Sequence, residues 1–401
     1  MFIFYSLLKR GIIIDNKLAI KHQTDEFLTY ANIIMITVTS IFLPYIFAGF
    51  ILVGLGVYLV LNKQTRKIIF LHKYSKYVVA FFTFYLLVAL IYGNWFGVAA
   101  GFGLILAVAI GFFQSSFMTA ELYERVLTLV CILSITSSSC AITQKFVISM
   151  VDDFYNYDRI SAMFLHPNYF GTITATVIII CAYKLLTSQE SKWLYYTVGA
   201  MNVISLYLCG SMFAWVEVFI GIAVLLLIMK KYQLLFLWVS AAAAAGFLIF
   251  IMNINLIPRL SDAGETIRLR LKIWKFAVKQ IIREPLFGHG ALSCAFLSLK
   301  NGDLIPHAHS IYLDYLMNYG LLGTVFLTAG FIKYYKLAVK LVIKEKQNTA
   351  ASLILAVTAA ALIHGTTDHT LFWIQTLPLF IFLLSGISAC GNRNKKHLSN
   401  F

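Results

Sequence analysis

An all-α fold of about twelve membrane-spanning helices is what this sequence predicts, on three observations. Of its 401 residues 60% are hydrophobic and only 12% charged; the mean hydropathy is +0.82; and the apolar residues cluster in runs near the ~20 needed to cross a bilayer. These values exclude a set of soluble domains. An aromatic content of 15%, with 33 Phe and 22 Tyr, suits belts at two membrane interfaces. The formal net charge of +15 resides largely in short connections between apolar runs, so topology explains it and no nucleic-acid partner is expected.

Taken in order, residues 1–8 are apolar but short. Lys9 and Arg10 follow them and no small-residue cleavage site appears, so a cleavable signal is not expected. The first ~25 residues are expected on the cytoplasmic membrane surface. Spans are expected near residues 28–46, 48–62, 77–93, 95–113, 125–144, 168–186, 194–210, 212–229, 233–252, 310–332, 349–366 and 370–390. Lys63, Arg66, Lys67, Lys73 and Lys76, then Lys230 and Lys231, then Lys333 to Lys346, then Arg393, Lys395 and Lys396 all fall on one side of such an arrangement. The positive-inside rule makes that side cytoplasmic, with both termini. Residues 145–167 and 253–309 then face outward, the second being a long extracytoplasmic loop between spans nine and ten. The six cysteines show no CxxC spacing and predict neither a disulfide framework nor a zinc site. No inverted repeat of the transporter kind is visible.

Chemistry-bearing residues concentrate in the outward segments. Ile267, Leu271, Trp274, Val278 and Ile281 recur at helical spacing, with Arg268, Lys272, Lys275, Lys279 and Arg283 opposite. This predicts an amphipathic helix on the outer leaflet, its cations toward anionic lipid. Arg270 lies between the two faces, where a guanidinium fork can meet diphosphate oxygens. His307 and His309 sit at the mouth of the tenth span, and imidazole there can take a proton from an attacking hydroxyl. Alternation along an extended segment would aim one of them at the site. No third histidine or carboxylate has metal-ligand spacing, so no metal is expected. Glu217 is an intramembrane carboxylate that calls for a partner, an arginine being one choice and local satisfaction the other.

Arg270-Leu-Lys-Ile-Trp274, Glu284-Pro-Leu-Phe-Gly-His-Gly290, His307-Ala-His309-Ser-Ile-Tyr312 and Tyr319-Gly-Leu-Leu-Gly323, in this order, resemble the signature region of the O-antigen ligase and bacterial polysaccharide polymerase superfamily. Arg159 followed by His166-Pro-Asn168, and Asp368 between the last two spans, resemble further family features. The resemblance covers about the second half of the chain. It implies a metal-independent GT-C-like inverting glycosyltransferase, without cofactor, in the bacterial cytoplasmic membrane. Such an enzyme transfers a glycan from an undecaprenyl-diphosphate-linked oligosaccharide to a hydroxyl of a glycan or lipid acceptor on the outer face.

On that resemblance His309 activates the acceptor, and Arg270, with Arg159 or Arg268, holds the diphosphate. His307, Tyr312 and Asn168 contact sugar or support the site. The chain departs from the family pattern at Met212, where many members carry Arg, and at Ser310, where Asn is usual. Arg159 or Arg259 replaces the missing cation, or the phosphate grip is weaker. The motifs do not separate a ligase from a polymerase of capsule or O-antigen units, the latter slightly favoured, nor from a protein O-glycosyltransferase. The reading from a different class is a transporter or flippase of lipid-linked glycans without catalytic activity, which predicts polar groups spread along several spans.

Overall fold

The computed structural model describes residues 16–72, 74–150, 159–188, 192–252, 263–344 and 349–391, and these form an all-helical body without strands. The helices are α1 Asn16–Ile41, α2 Tyr45–Leu61, α3 Lys63–Leu71, α4 Ser75–Ile91, α5 Trp95–Phe117, α6 Ala120–Met150, α7 Pro167–Thr187, α8 Lys192–Cys209, α9 Met212–Ile228, α10 Tyr232–Met252, α11 Ala263–Arg283, α12 Ser293–Leu299, α13 Ile311–Lys344, α14 Thr349–His364 and α15 Thr376–Gly391. Every expected span overlaps one of them. By length and composition, α5, α6, α7, α10 and α13 can each cross a membrane, and α2 with α3 forms a further candidate bent by 86°. Five more apolar helices are shorter, at 10–17 residues. The chain is membrane-embedded. Residues 1–15, most of the expected surface segment at the N-terminus, lie outside the described residues, as does the basic tail from Arg393.

The bend after α2 has a local cause. Asn62 leaves helical geometry and its side-chain oxygen accepts from the backbone N–H of Gln64 (2.9 Å) and Thr65 (3.2 Å), capping α3. The core centres on α7, 78% of whose apolar window is buried; α10 is the opposite extreme at 0%. α7 packs against α6, α8, α9, α14 and α15. Its first turn therefore emerges among the loops at one end of the bundle. Five of the cysteines are buried and Cys140 is half-buried, and all six are unbridged.

Three expectations need correction. The outward segment expected from 145 begins later, because α6 continues to Met150. The last span starts at Thr376 rather than 370: residues 368–370 are irregular, and Trp373 and Gln375 secure a loop. Trp373 Nε1 donates to the His369 carbonyl (3.0 Å), and Gln375 Nε2 to those of Ile41 (2.9 Å) and Leu43 (2.8 Å). Apolar Leu371 and Phe372 extend the hydropathic run without extending the helix. Thirdly, the expected apolar face of the amphipathic helix divides. Thr266, Arg270, Ile273, Trp274, Ala277, Gln280 and Ile281 turn toward the protein, whereas Ile267, Leu271 and Val278 are exposed beside Ile282. Periodicity finds the apolar stripe but not the neighbour that buries part of it, here α13.

The Glu284–Gly290 and Tyr319–Gly323 motifs turn out to be one device. α13 is broken at Gly320 (φ 59°, ψ −171°), which frees backbone groups that an apolar environment cannot leave unpaired. The turn segment after α11 satisfies them. His289 N–H donates to Met317 O (3.1 Å) and Gly290 N–H to Asn318 O (2.9 Å), while Pro285 O and Leu286 O accept from Leu321 (2.8 Å) and Leu322 (3.1 Å). Asn94 Nδ2 braces the segment from α5's end through the carbonyls of His289 (3.1 Å) and Ala291 (2.9 Å). A Cβ on Gly290 (φ 83°) would lie 2.6 Å from Ala89 Cβ and 2.9 Å from its Cα. Gly290→Ala is therefore expected to destabilise by about 3 kcal/mol, combining left-handed strain with overpacking. Gly302→Ala, at a similar φ of 89° but with nothing within 4 Å, should cost about 1 kcal/mol. Thermal unfolding of the purified variants compares the two; equal losses would mean that the clamp's close approach is unimportant.

Candidate active site

Asp368 is the centre of a cluster at the end of the bundle where α7 and α13 begin. Its side chain is 1% exposed, so its charge must be met by protein groups. Asn168, in the first turn of α7, donates an amide N–H to Oδ2. Arg159 in turn donates to the Asn168 side-chain oxygen, and through Nε to the carbonyl of Cys209 at the end of α8 (3.0 Å). On the other side, Oδ1 accepts the backbone N–H of His369 (2.8 Å) and lies 3.5 Å from His307 Nε2 and 3.4 Å from His309 Nδ1. The Arg159–Asn168–Asp368 chain thus ends on both histidines of the His307-Ala-His309 motif.

Local sequence explains the entry to α7. Pro167 takes the first helical position, where a missing N–H does no harm, and His166 Nδ1 accepts from Asn168 N–H (3.1 Å) as the cap. The lone pair at Nδ1 makes His166 a neutral ring, and burial, then Arg159, lowers its pKa. His309 adopts a left-handed backbone (φ 50°), a conformation that costs a non-glycine residue on the order of 1–2 kcal/mol. Its carbonyl accepts from Trp274 Nε1 (3.3 Å), and its N–H donates to His307 Nδ1 (3.2 Å). The two rings lie 4.3 Å apart.

That second bond fixes a tautomer. With Nδ1 of His307 accepting, the ring's one proton sits on Nε2 and faces Asp368. Burial pushes the His307 pKa down to about 4 despite the neighbouring carboxylate, so the ring is neutral at neutral pH. Burial alone would raise the pKa of Asp368, but His309, His307 and His364 outweigh it and hold the carboxyl well below the usual range. The site therefore pairs a fixed negative charge with a neutral His307. The side chain of His309 is 26% exposed, and its Nδ1 lies 3.4 Å from Asp368 Oδ1 outside hydrogen-bonding alignment.

The absence of a third metal ligand, argued from spacing, does not survive folding: His307, His309 and Asp368 place one donor atom each within 4.8 Å of one another. The tautomer nevertheless opposes an ion in this arrangement. A ring accepting at Nδ1 cannot also ligate through Nε2 without losing its last proton, so the His309–His307 bond would first have to break.

The remaining sequence candidates fall in three places. Arg270 is half-buried on the inward face of α11, one turn before Trp274, with its guanidinium 5.5 Å from the Phe213 ring centroid. Arg268 is exposed on another face. Tyr312 is exposed too, and its hydroxyl donates to Leu362 O (3.1 Å), tying α13 to α14 rather than reaching the histidines. Arg259 lies outside the described residues. Glu217 finds His364 instead of an arginine: Oε2 is 2.6 Å from His364 Nδ1, with Thr172 3.4 Å from the same nitrogen. Sequence reasoning missed Asp314 and His369, joined at 2.7 Å between Oδ2 and Nδ1. Neither belongs to a recognisable motif.

The described residues thus bring a buried carboxylate, two histidines and, through Asn168, an arginine together at one end of the helical body. Comparison with family models supports the resemblance noted above: residues 175–328, less than half of the chain, match the O-antigen ligase family. The family is one of ligase- or polymerase-type membrane glycosyltransferases that act on lipid-linked glycans. No curated protein matches the chain. The matched segment contains Arg270, His307 and His309, whereas Arg159, Asn168 and Asp368 join them only through folding.

Asn168→Ala removes the middle of the Arg159–Asn168–Asp368 chain and leaves a buried carboxylate short of a donor. We expect a loss of about 2 kcal/mol, the range for hydrogen bonds to charged groups, read as a lower unfolding temperature in detergent. An unchanged temperature would show that the carboxylate is satisfied without Asn168.

Proposed function

We propose that this protein transfers a glycan from an undecaprenyl-diphosphate carrier to an acceptor hydroxyl at the extracytoplasmic face. The observation that carries the reading is the contact of partly exposed His309 with the buried Asp368 carboxylate, its carbonyl held by Trp274, one turn along α11 from inward-facing Arg270. In this mechanism the acceptor oxygen attacks the anomeric carbon while His309 takes its proton. The glycosidic bond forms as the bond from that carbon to the diphosphate oxygen breaks, in one displacement with inversion. Asp368, 3.4 Å from Nδ1, stabilises the imidazolium as it forms. The electron pair leaves on the diphosphate, where Arg270 offsets the growing charge. Arg159 acts through Asn168 and Asp368 in this scheme, so it supports the base rather than gripping phosphate. No step needs a metal. Polymerase and ligase share this chemistry and differ in acceptor, and a polymerase of surface-polysaccharide repeat units is the reading we favour.

The test is transfer by purified protein from an undecaprenyl-diphosphate repeat unit, in EDTA, with products resolved on a ladder gel. Chain growth on lipid-linked units alone is expected. His309→Ala should lower kcat by about 10²–10⁴-fold, the usual contribution of a general base, and Arg270→Ala by a comparable factor. Product appearing only after addition of a lipid A core or other anchor would make the protein a ligase. Full activity in both variants would remove His309 and Arg270 from the site, whereas no transfer to any acceptor would remove the enzymatic reading and leave the transporter.

A further inference from the structure

Asp314 is buried (2% exposed) in the first turn of α13, five residues beyond His309 and in no motif described above. Its two carboxylate oxygens reach two different segments. Oδ1 accepts the backbone N–H of Ala308 (2.9 Å), the residue between the two histidines. Oδ2 meets His369 Nδ1 (2.7 Å), and the backbone N–H of His369 donates to Asp368 Oδ1. One side chain thus ties the histidine loop to the turn that presents Asp368.

What it holds is strained. Three successive peptide groups around left-handed His309 are each gripped by a side chain: the 307–308 peptide by Asp314, the 308–309 peptide by His307, and the 309–310 peptide by Trp274. A left-handed histidine persists only where the surroundings over-determine it, and such strain gathers at sites where a side chain must be aimed. Of the three grips, His307 bears on Asp368 directly and Asp314 does so through His369, from outside the pair of histidines. We propose that Asp314, acting through His369, is the positioning residue that sets His309 against Asp368, and that its loss disables the reaction without removing any group that touches substrate. The proposal rests on the reading of His309 as the base.

Two variants separate the bonds: Asp314→Asn keeps an acceptor for Ala308 N–H but presents an amide to His369, and Asp314→Leu abolishes both contacts. For Asp314→Leu we expect kcat to fall at least ~50-fold with the donor KM within ~2-fold, and for Asp314→Asn a fall of ~5–10-fold, the pattern of a lost transition-state arrangement. A purely structural role would lower thermal stability and raise donor KM together. Independently of activity, deuterium exchange at the imidazole C2 of each histidine, followed by mass spectrometry on substrate-free protein, should change at least ~3-fold at His309 in both variants and stay constant at remote His72. If Asp314→Leu fails to fold, Asp314→Asn decides. Unchanged His309 exchange, or wild-type kcat, in that variant overturns the proposal. Transfer persisting in His309→Ala would instead defeat the reading of His309 as base, while the exchange measurement still decides whether Asp314 sets that residue.

Discussion

A carboxylate sealed from water at the mouth of a helical bundle is the constraint around which the end of this molecule is built. An unpaired buried charge would neutralise or break the fold. Asp368 stays ionised because α7 offers Asn168 and, behind it, Arg159, because the next backbone N–H turns back onto it, and because two histidines stand within 3.5 Å. Each of these partners comes from a different part of the chain. The carboxylate therefore makes the loops mutually dependent, and the same charge that demands partners can later stabilise a protonated imidazole.

The second dependence is mechanical. A helix broken inside the bundle must find partners for its freed peptide groups, and α13 finds them in the segment that follows α11. Through this clamp α11, with Arg270 and Trp274, is joined to α13, whose first turn carries Asp314. Trp274 then reaches His309 directly. Arginine and histidine are thus set in register by backbone pairing well away from either side chain. Gly288, Gly290 and Gly320 permit that pairing, each lying too close to a neighbouring segment to carry a Cβ.

Below the site, Glu217 and His364 share a contact at 2.6 Å inside the helical body. A carboxylate at membrane depth is costly unless matched, and His364 matches it at the end of α14, four residues before Asp368. A second matched pair, Lys184 with Glu124 at 2.6 Å, lies toward the opposite end of α7. Arg270 is half-buried on α11 beside Phe213, while Arg159 is engaged with Asn168 and Cys209.

Sequence alone determined the helical, membrane-embedded class and the approximate position of the longer apolar helices, because a ~20-residue apolar run has few other uses, but not short α3 and α12. It also marked α11 by period, and Arg270, His307 and His309 by motif. It could not tell that Ile267 and Val278 face outward while Arg270 faces in, since period shows a stripe and not its neighbour. The apolar residues at 371–374 read as helix for the same reason. Only the tertiary structure decided that Asp368 meets both histidines, that Asn168 relays Arg159 to it, that Tyr312 turns away toward Leu362, and that Asp314 and His369 belong to the site at all. Buried polar groups choose partners by distance in space, and distance along the chain carries no record of that choice until α7, α13 and α14 pack.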